Sequence, residues 1–130
     1  MGTDKRFELR MTGSGGQGLI LGSIILAEAA IMEGKVVTQS QVYGAEARGG
    51  TTKAELVISA KHIAYPKVTD PDVLAAMTDE GLRQYGGGIS RKTEVIIDSS
   101  AMTTPDFLNE ETCRDLVALP IRSALLNRLE

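Results

Sequence analysis

A chain of 130 residues with a formal net charge of -3 and mixed signs can build one domain with a real core, and it lacks the basic stripe that a nucleic-acid surface needs. The single cysteine, Cys113, can form no internal disulfide and cannot hold an iron–sulfur cluster by itself. The longest apolar stretch, Leu19 to Met32, is short for a bilayer and carries Glu28, and Asp4, Lys5 and Arg6 near the N-terminus do not suit a signal sequence. A cytoplasmic protein without a membrane segment is the expectation.

Phe7, Leu9 and Met11 alternate with Glu8 and Arg10, which predicts a first strand over Arg6 to Thr12. The glycine-rich run from Gly13 to Gly18 closes it. A helix follows from Leu19 to about Glu33, with Leu19, Ile20, Ile24, Ala27 and Ile31 as its core face and Gly34 ending it. Leu21, Ile25 and Met32 lie off that stripe, so the helix is expected to be covered on more than one side. Lys35 to Gln39 reads as a second strand running into an ordered polar loop over Gln39 to Gly44. Thr51 to Ser59 alternates again and predicts a third strand, with Ile63 and Tyr65 expected to pair with it across a turn at Ala60-Lys61. Asp72 to Met77 predicts a short strand, and Asp79 to Tyr85 a short helix capped by Thr78 and ended by Gly86-Gly87-Gly88. Glu94 to Asp98 is a β-branched run of the kind buried on both faces. Val117 to Pro120 supplies a further strand before a helix from Ile121. Alternating strands and helices predict an α/β three-layer sandwich, Rossmann-like, with a mainly parallel (mixed) sheet and an antiparallel hairpin around residues 51 to 66.

Two loops carry chemistry. Gly13-Ser14-Gly15-Gly16-Gln17-Gly18 stands between a strand and a helix, where glycines permit a sharp turn and free N–H groups favour a phosphate or pyrophosphate. The spacing of Gly13, Gly15 and Gly18 meets the dinucleotide fingerprint. That fingerprint also needs an acidic residue about 20 positions on, where this chain has Val36, Val37, Thr38 and Gln39, so NAD is disfavoured. The same run would equally serve close packing with no ligand. The second loop, Tyr43-Gly44-Ala45-Glu46-Ala47-Arg48-Gly49-Gly50, places an acid, a permanent cation and three glycines within eight residues. Arg48 suits a phosphate or carboxylate, with Glu46 orienting it and Gly49 and Gly50 letting a partner approach the backbone. A solvated loop with an incidental ion pair is the plainer reading. His62 at a turn and Cys113 beside Thr112 and Arg114 are read as having no chemical role.

Together with Ile63-Ala64-Tyr65-Pro66-Lys67-Val68, Leu26-Ala27-Glu28-Ala29-Ala30 and Asp98-Ser99-Ser100, these two loops resemble the gamma subunit of 2-oxoacid:ferredoxin oxidoreductases. The resemblance covers residues 6 to about 102 and leans toward the 2-oxoglutarate branch. It implies one gamma domain over residues 1–130, shorter at its C-terminal end than is usual in that family. It also implies an accessory subunit of an enzyme that turns a 2-oxoacid and coenzyme A into acyl-CoA and carbon dioxide while reducing ferredoxin.

In such an assembly thiamine diphosphate, Mg and the iron–sulfur clusters sit on alpha, beta and delta partner subunits. This chain would bind none of them alone and would meet coenzyme A through Gly13, Ser14, Gly15, Gly16, Gln17 and Gly18, with Glu46, Arg48, Gly49 and Gly50 assisting and Arg48 either meeting the ligand or locking a neighbouring subunit. The backbone N–H groups from Gly15 to Gly18 are the expected holders of the diphosphate. Self-association of the isolated chain is expected from its apolar helix and short C-terminal part. A pure scaffold and a stand-alone nucleotide or coenzyme A module are the competing readings.

Overall fold

The computed structural model describes residues 6–43 and 50–124. Strand β1 (Phe7–Ser14) leads into helix α1 (Leu19–Met32), followed by β2 (Val36–Tyr43), β3 (Thr51–Ser59) and β4 (Val73–Ala76). Helix α2 (Asp79–Tyr85) and strands β5 (Glu94–Asp98) and β6 (Asp115–Leu119) complete the described elements. The six strands form one sheet in the order β2-β3-β1-β4-β5-β6. β1, β4, β5 and β6 are parallel neighbours, whereas β3 runs antiparallel to both β1 and β2. The mixed sheet is as the sequence predicts, but its antiparallel part differs.

β1 is longer than the alternation predicts, because Gly13 and Ser14 still pair with Thr52 and Thr51. The polar stretch expected to be a loop after Gln39 is instead strand as far as Tyr43. β2 is an edge strand half open to water, so Ser40 and Gln41 cost little there, and pairing with Glu55 and Ala54 of β3 decides the conformation. No strand forms over Ile63 to Tyr65, and the hairpin expected around residues 51 to 66 does not exist. Those residues are tied instead by side chains. Arg6 donates to the carbonyls of Tyr65 and Lys67, and Thr38 Oγ1 donates to Pro66 O at 3.2 Å.

The two helices cover opposite faces. Phe7, Leu9 and Met11 pack with Ala27, Leu56, Val37 and Val73 on the α1 side. Leu74, Ala76, Val95 and Ile97 pack with Leu82 of α2, Met102, Leu108 and Cys113 on the other. Leu56, Leu74 and Val95 have no exposed surface, and each such side chain contributes about 1.5–3 kcal/mol of transfer free energy. Because the second face is also covered, the polar partners in the alternation are buried too. Arg10 Nε holds Glu55 Oε2 at 2.7 Å, and Glu8 Oε1 accepts from Thr69 N and Asp70 N.

The apolar stripe predicted for α1 is only partly right. Ser23 and Ala27 are its buried residues, while Ile24, Ile31, Leu21, Ile25 and Met32 are exposed. Small residues face the sheet, with Met11 the nearest side chain to Gly22, so the helix lies close; Leu19 and Ile20 of the predicted stripe are half-buried, and the large side chains beyond them point away. β5, expected to be buried on both faces, buries Val95, Ile97 and Asp98 but leaves Ile96 half-covered.

Candidate functional site

The chain leaves β1 at the C-terminal edge of the parallel strands and turns through Gly15 to Gly18. Gly16 and Gly18 have φ of 87° and 81°, a left-handed backbone that side-chain-bearing residues seldom adopt. Gly13 meets a different demand. A Cβ there would stand 2.3 Å from Gln17 Oε1, 2.7 Å from Leu19 Cδ1 and 3.1 Å from Met77 Cβ, so Gly13 serves packing. Ser14 N donates to Gln17 Oε1 at 2.8 Å, which folds the Gln17 side chain back across the turn.

The amide row expected to hold a diphosphate is not wholly open. Gly15 N already donates to Gly50 O at 3.0 Å. That bond brings Gly50, the end of the second loop, onto the first. Tyr43 and Thr52, the registered ends of β2 and β3, line a concavity of about 290 Å³ with Ser14, Gly15, Gly18 and Leu21. Glu46, Arg48 and Gly49 lie outside the described residues.

Helix α1 begins on Gly18, with no side-chain cap and no acidic residue in its first turn. Its first N–H groups therefore carry the positive end of the helix dipole without a capping side chain among the described residues. On the other side of the loop a crevice of about 480 Å³ is lined by Ser14, Gly15, Gly16, Gln17, Met77, Asp98 and Arg122. It sits over the carboxyl ends of β1, β4 and β5. The helix after β1 goes to one face and the helix after β4 to the other, so this is the switch point at which open α/β sheets take ligands.

Asp98 enters the sequence reading as a strand end and within the Asp98-Ser99-Ser100 segment of the resemblance, without a site role, and Arg122 does not enter it. Asp98 ends β5 and is wholly buried. Its Oδ1 accepts from Ser100 N at 3.0 Å and Arg122 N at 3.5 Å, fixing the turn after β5 and the start of the helical turn at Ile121. Its Oδ2 is buried with no hydrogen-bond partner among the described residues. Burial pushes the Asp98 carboxyl up, but the donors gathered round it, the Ser100 hydroxyl and N–H and the N–H groups of Arg122 and Ile121, outweigh that push and hold the group below its ordinary value, although only the Ser100 and Arg122 N–H groups reach hydrogen-bond geometry, both at Oδ1. It is ionised at neutral pH. The available signal was an acid terminating an apolar run at the carboxyl end of a parallel strand.

Another concavity, of about 630 Å³, lies elsewhere, between α2 and the Phe107 to Thr112 segment. Apolar groups dominate it, and among the described residues no buried side-chain nitrogen or oxygen there lacks a partner. His62 is exposed on the opposite edge of the sheet, and Cys113 is buried in the α2-side core. Burial first, and the Asp115 carboxylate second, push the Cys113 thiol up, away from the reactive thiolate. No group of three or more metal-ligating side chains is found among the described residues, and no described helix is long and apolar enough to cross a membrane.

Fold and site define an α/β domain with a glycine-rich strand-to-helix loop opening on a switch-point crevice. Residues 8–126 match the pyruvate ferredoxin/flavodoxin oxidoreductase family, and the chain belongs to it. It is 42% identical over 113 residues to the 2-oxoglutarate synthase subunit KorC of Methanothermobacter thermautotrophicus, an alignment covering 86% of this chain and 57% of that one. The crystal structure of a keto/oxoacid ferredoxin oxidoreductase gamma subunit from Geobacter sulfurreducens superposes with a TM-score of 0.73 at 36% identity, over 92% of this chain and 64% of that one. The 2-oxoglutarate:ferredoxin oxidoreductase of Magnetococcus marinus, solved with 2-oxoglutarate, coenzyme A and succinyl-CoA bound, superposes with a TM-score of 0.75 at 25% identity over 88% of this chain and 19% of that one. The chain spans about half the length of the KorC relatives it matches.

Proposed function

We propose that this chain is an accessory gamma subunit of a thiamine-diphosphate-dependent 2-oxoacid:ferredoxin oxidoreductase, with 2-oxoglutarate the favoured substrate, and that its glycine loop forms part of the coenzyme A site. The observation that carries the ligand role is the uncapped, acid-free start of α1 on Gly18 beside the switch-point crevice. Backbone N–H groups there suit the coenzyme diphosphate. Gly16, Gly18 and the first turn of α1 are its holders in this reading, because Gly15 N is committed to Gly50 O. Arg48 adds a permanent cation, supported by the position of its neighbours Tyr43 and Gly50 at the glycine loop, and Glu46 orients it.

The chain itself makes and breaks no bond. Thiamine diphosphate with its Mg and the iron–sulfur clusters belong to alpha, beta or delta partners, which pass electrons to ferredoxin. Holding the coenzyme in place brings its thiol to the reacting acyl group as a proximity effect. The exposed apolar side chains Leu21, Ile25 and Met32 of α1 favour an assembly role beside this one, with other subunits or with a second copy of the chain.

Calorimetric titration of coenzyme A into the complex with its partner subunits separates the readings. Gly16→Val and Arg48→Ala are expected to assemble and to bind coenzyme A at least tenfold more weakly. Unchanged affinity in assembled variants would make the chain a scaffold.

A further inference from the structure

The crevice beside the glycine loop holds two kinds of polar group with opposite demands. The loop backbone and the start of α1 offer N–H donors, and Arg122 brings a cation to the same lining. Asp98, on the far wall, offers only an acceptor. Its Oδ1 is used by the backbone, while its Oδ2 is buried and unmet among the described residues. A buried, ionised oxygen without a partner is costly, and native proteins rarely leave one without a use.

A metal ion is a poor occupant. One carboxylate is a single ligand, and no cluster of acidic, histidine or cysteine side chains joins it among the described residues. A phosphate is worse, being an acceptor itself and carrying the same charge. What remains is a hydrogen-bond donor. β4 lies between β1 and β5, so the ends of those two strands are about 10 Å apart at ordinary strand spacing. A bare phosphate or pyrophosphate on the loop cannot also satisfy Asp98.

We infer that Asp98 is a ligand-contacting residue whose Oδ2 accepts a hydrogen bond from a hydroxyl or N–H group of the same molecule whose phosphate lies on the glycine loop. The ligand is therefore two-headed: an anion at the Gly16 to Gly18 end, and a neutral donor group, of the kind a nucleotide sugar, base or amide arm carries, at the Asp98 end. This rests on the coenzyme reading of the site and adds to it the orientation in which the coenzyme lies and the residue that distinguishes it from simple phosphates. Asp98 is ionised at neutral pH, so it acts as acceptor and never as donor.

The test uses the full chain and two probes, coenzyme A and inorganic pyrophosphate, titrated by calorimetry. Asp98→Asn keeps a side-chain oxygen for the N–H groups of Ser100 and Arg122 and puts an NH2 where Oδ2 stands, so the fold is expected to survive, as checked by its melting temperature. Coenzyme A affinity is expected to fall tenfold or more, the scale of a lost hydrogen bond to a charged group. Pyrophosphate affinity is expected to stay or rise, because a negative charge has gone. A role through charge alone would raise both affinities, and a role confined to the backbone turn would leave both unchanged; either result overturns the inference. Should Asp98→Asn not fold, Met77→Phe fills the crevice from the β4 side without touching the Asp98 bonds. It is expected to weaken coenzyme A at least tenfold and spare pyrophosphate, and equal retention of both would overturn the inference. If wild type binds neither probe, the ligand role of the loop falls with it, whereas wild-type binding that Asp98→Asn does not alter removes only the Asp98 contact.

Discussion

Helices α1 and α2 both start at the carboxyl ends of parallel strands, yet they end their backbones there in opposite ways. α2 is closed on itself. Thr78 Oγ1 accepts from Gly81 N at 3.0 Å, and Asp79 and Glu80 in the first turn answer the helix dipole. α1 opens on a left-handed glycine with neither a cap nor an acid among the described residues, where the buried Asp98 Oδ2 across the crevice is also without a partner. Two helix starts on one edge of one sheet show that the fold can satisfy such groups locally. Where it does not, the groups are available to a ligand. Polar groups on the opposite edge are also paired, with Glu8 Oε1 taken by Thr69 N and Asp70 N, and Arg6 by Glu8 Oε2 at 2.9 Å and by two carbonyls.

The comparison is broken most severely by separating α2 from β1. A Cβ on Gly81 would stand 2.6 Å from Thr12 Oγ1 and 3.0 Å from Gly13 N, so Gly81→Val is expected to destabilise by about 3 kcal/mol, read from denaturant melts. Acid acts on both edges at once. Glu8 and Asp98 are held below their ordinary values of 4.5 and 3.8, the first by Asp70 N–H, Arg6 and Thr69 N–H against the upward push of burial. Their folded values lie below the unfolded ones, so the stability they contribute is full above the unfolded values and is lost as pH falls through the folded ones. A melting temperature flat above about pH 5 that declines below about pH 4 is expected from a thermal scan across pH.

Removing the α2 cap with Thr78→Ala is expected to cost about 1 kcal/mol by the same denaturant melts, without affecting coenzyme A binding. The reciprocal change gives α1 what α2 has. Leu21 is 62% exposed in the first turn, and Leu21→Glu is expected to add about 0.3–1 kcal/mol of stability while weakening coenzyme A several-fold in calorimetry. An acid there that strengthened coenzyme binding would remove the anion from the account.

Much of this architecture was legible in the residues. The Gly13 to Gly18 run, Thr78 before Asp79-Glu80, and Glu94 to Asp98 each carry a local signal strong enough to place an element, and α2 begins and ends where that signal puts it. The errors fall where partners outside the segment decide. Ser40 to Tyr43 became strand because β3 offered them a register, and Ile63 to Tyr65 did not because Arg6 and Thr38 hold their neighbourhood by side chains. In α1 the periodicity favoured the large apolar residues, whereas close approach to the sheet selected Ser23 and Ala27. The site was half visible. Glycines announce a turn that can bind an anion, but Asp98 and Arg122 reach that turn only through the parallel pairing of β4 with β1 and β5, which a linear spacing does not reveal.

The most direct measurement is the backbone amide NMR spectrum of the 15N-labelled chain titrated with coenzyme A. The account predicts shifts concentrated at Gly16, Gly18, Leu19 and Ile20, with Ser100 and Arg122 responding through Asp98, while Gly81 and Leu82 of the capped helix stay still. Shifts confined to the groove between α2 and Phe107, or an equal response at both helix starts, would contradict it.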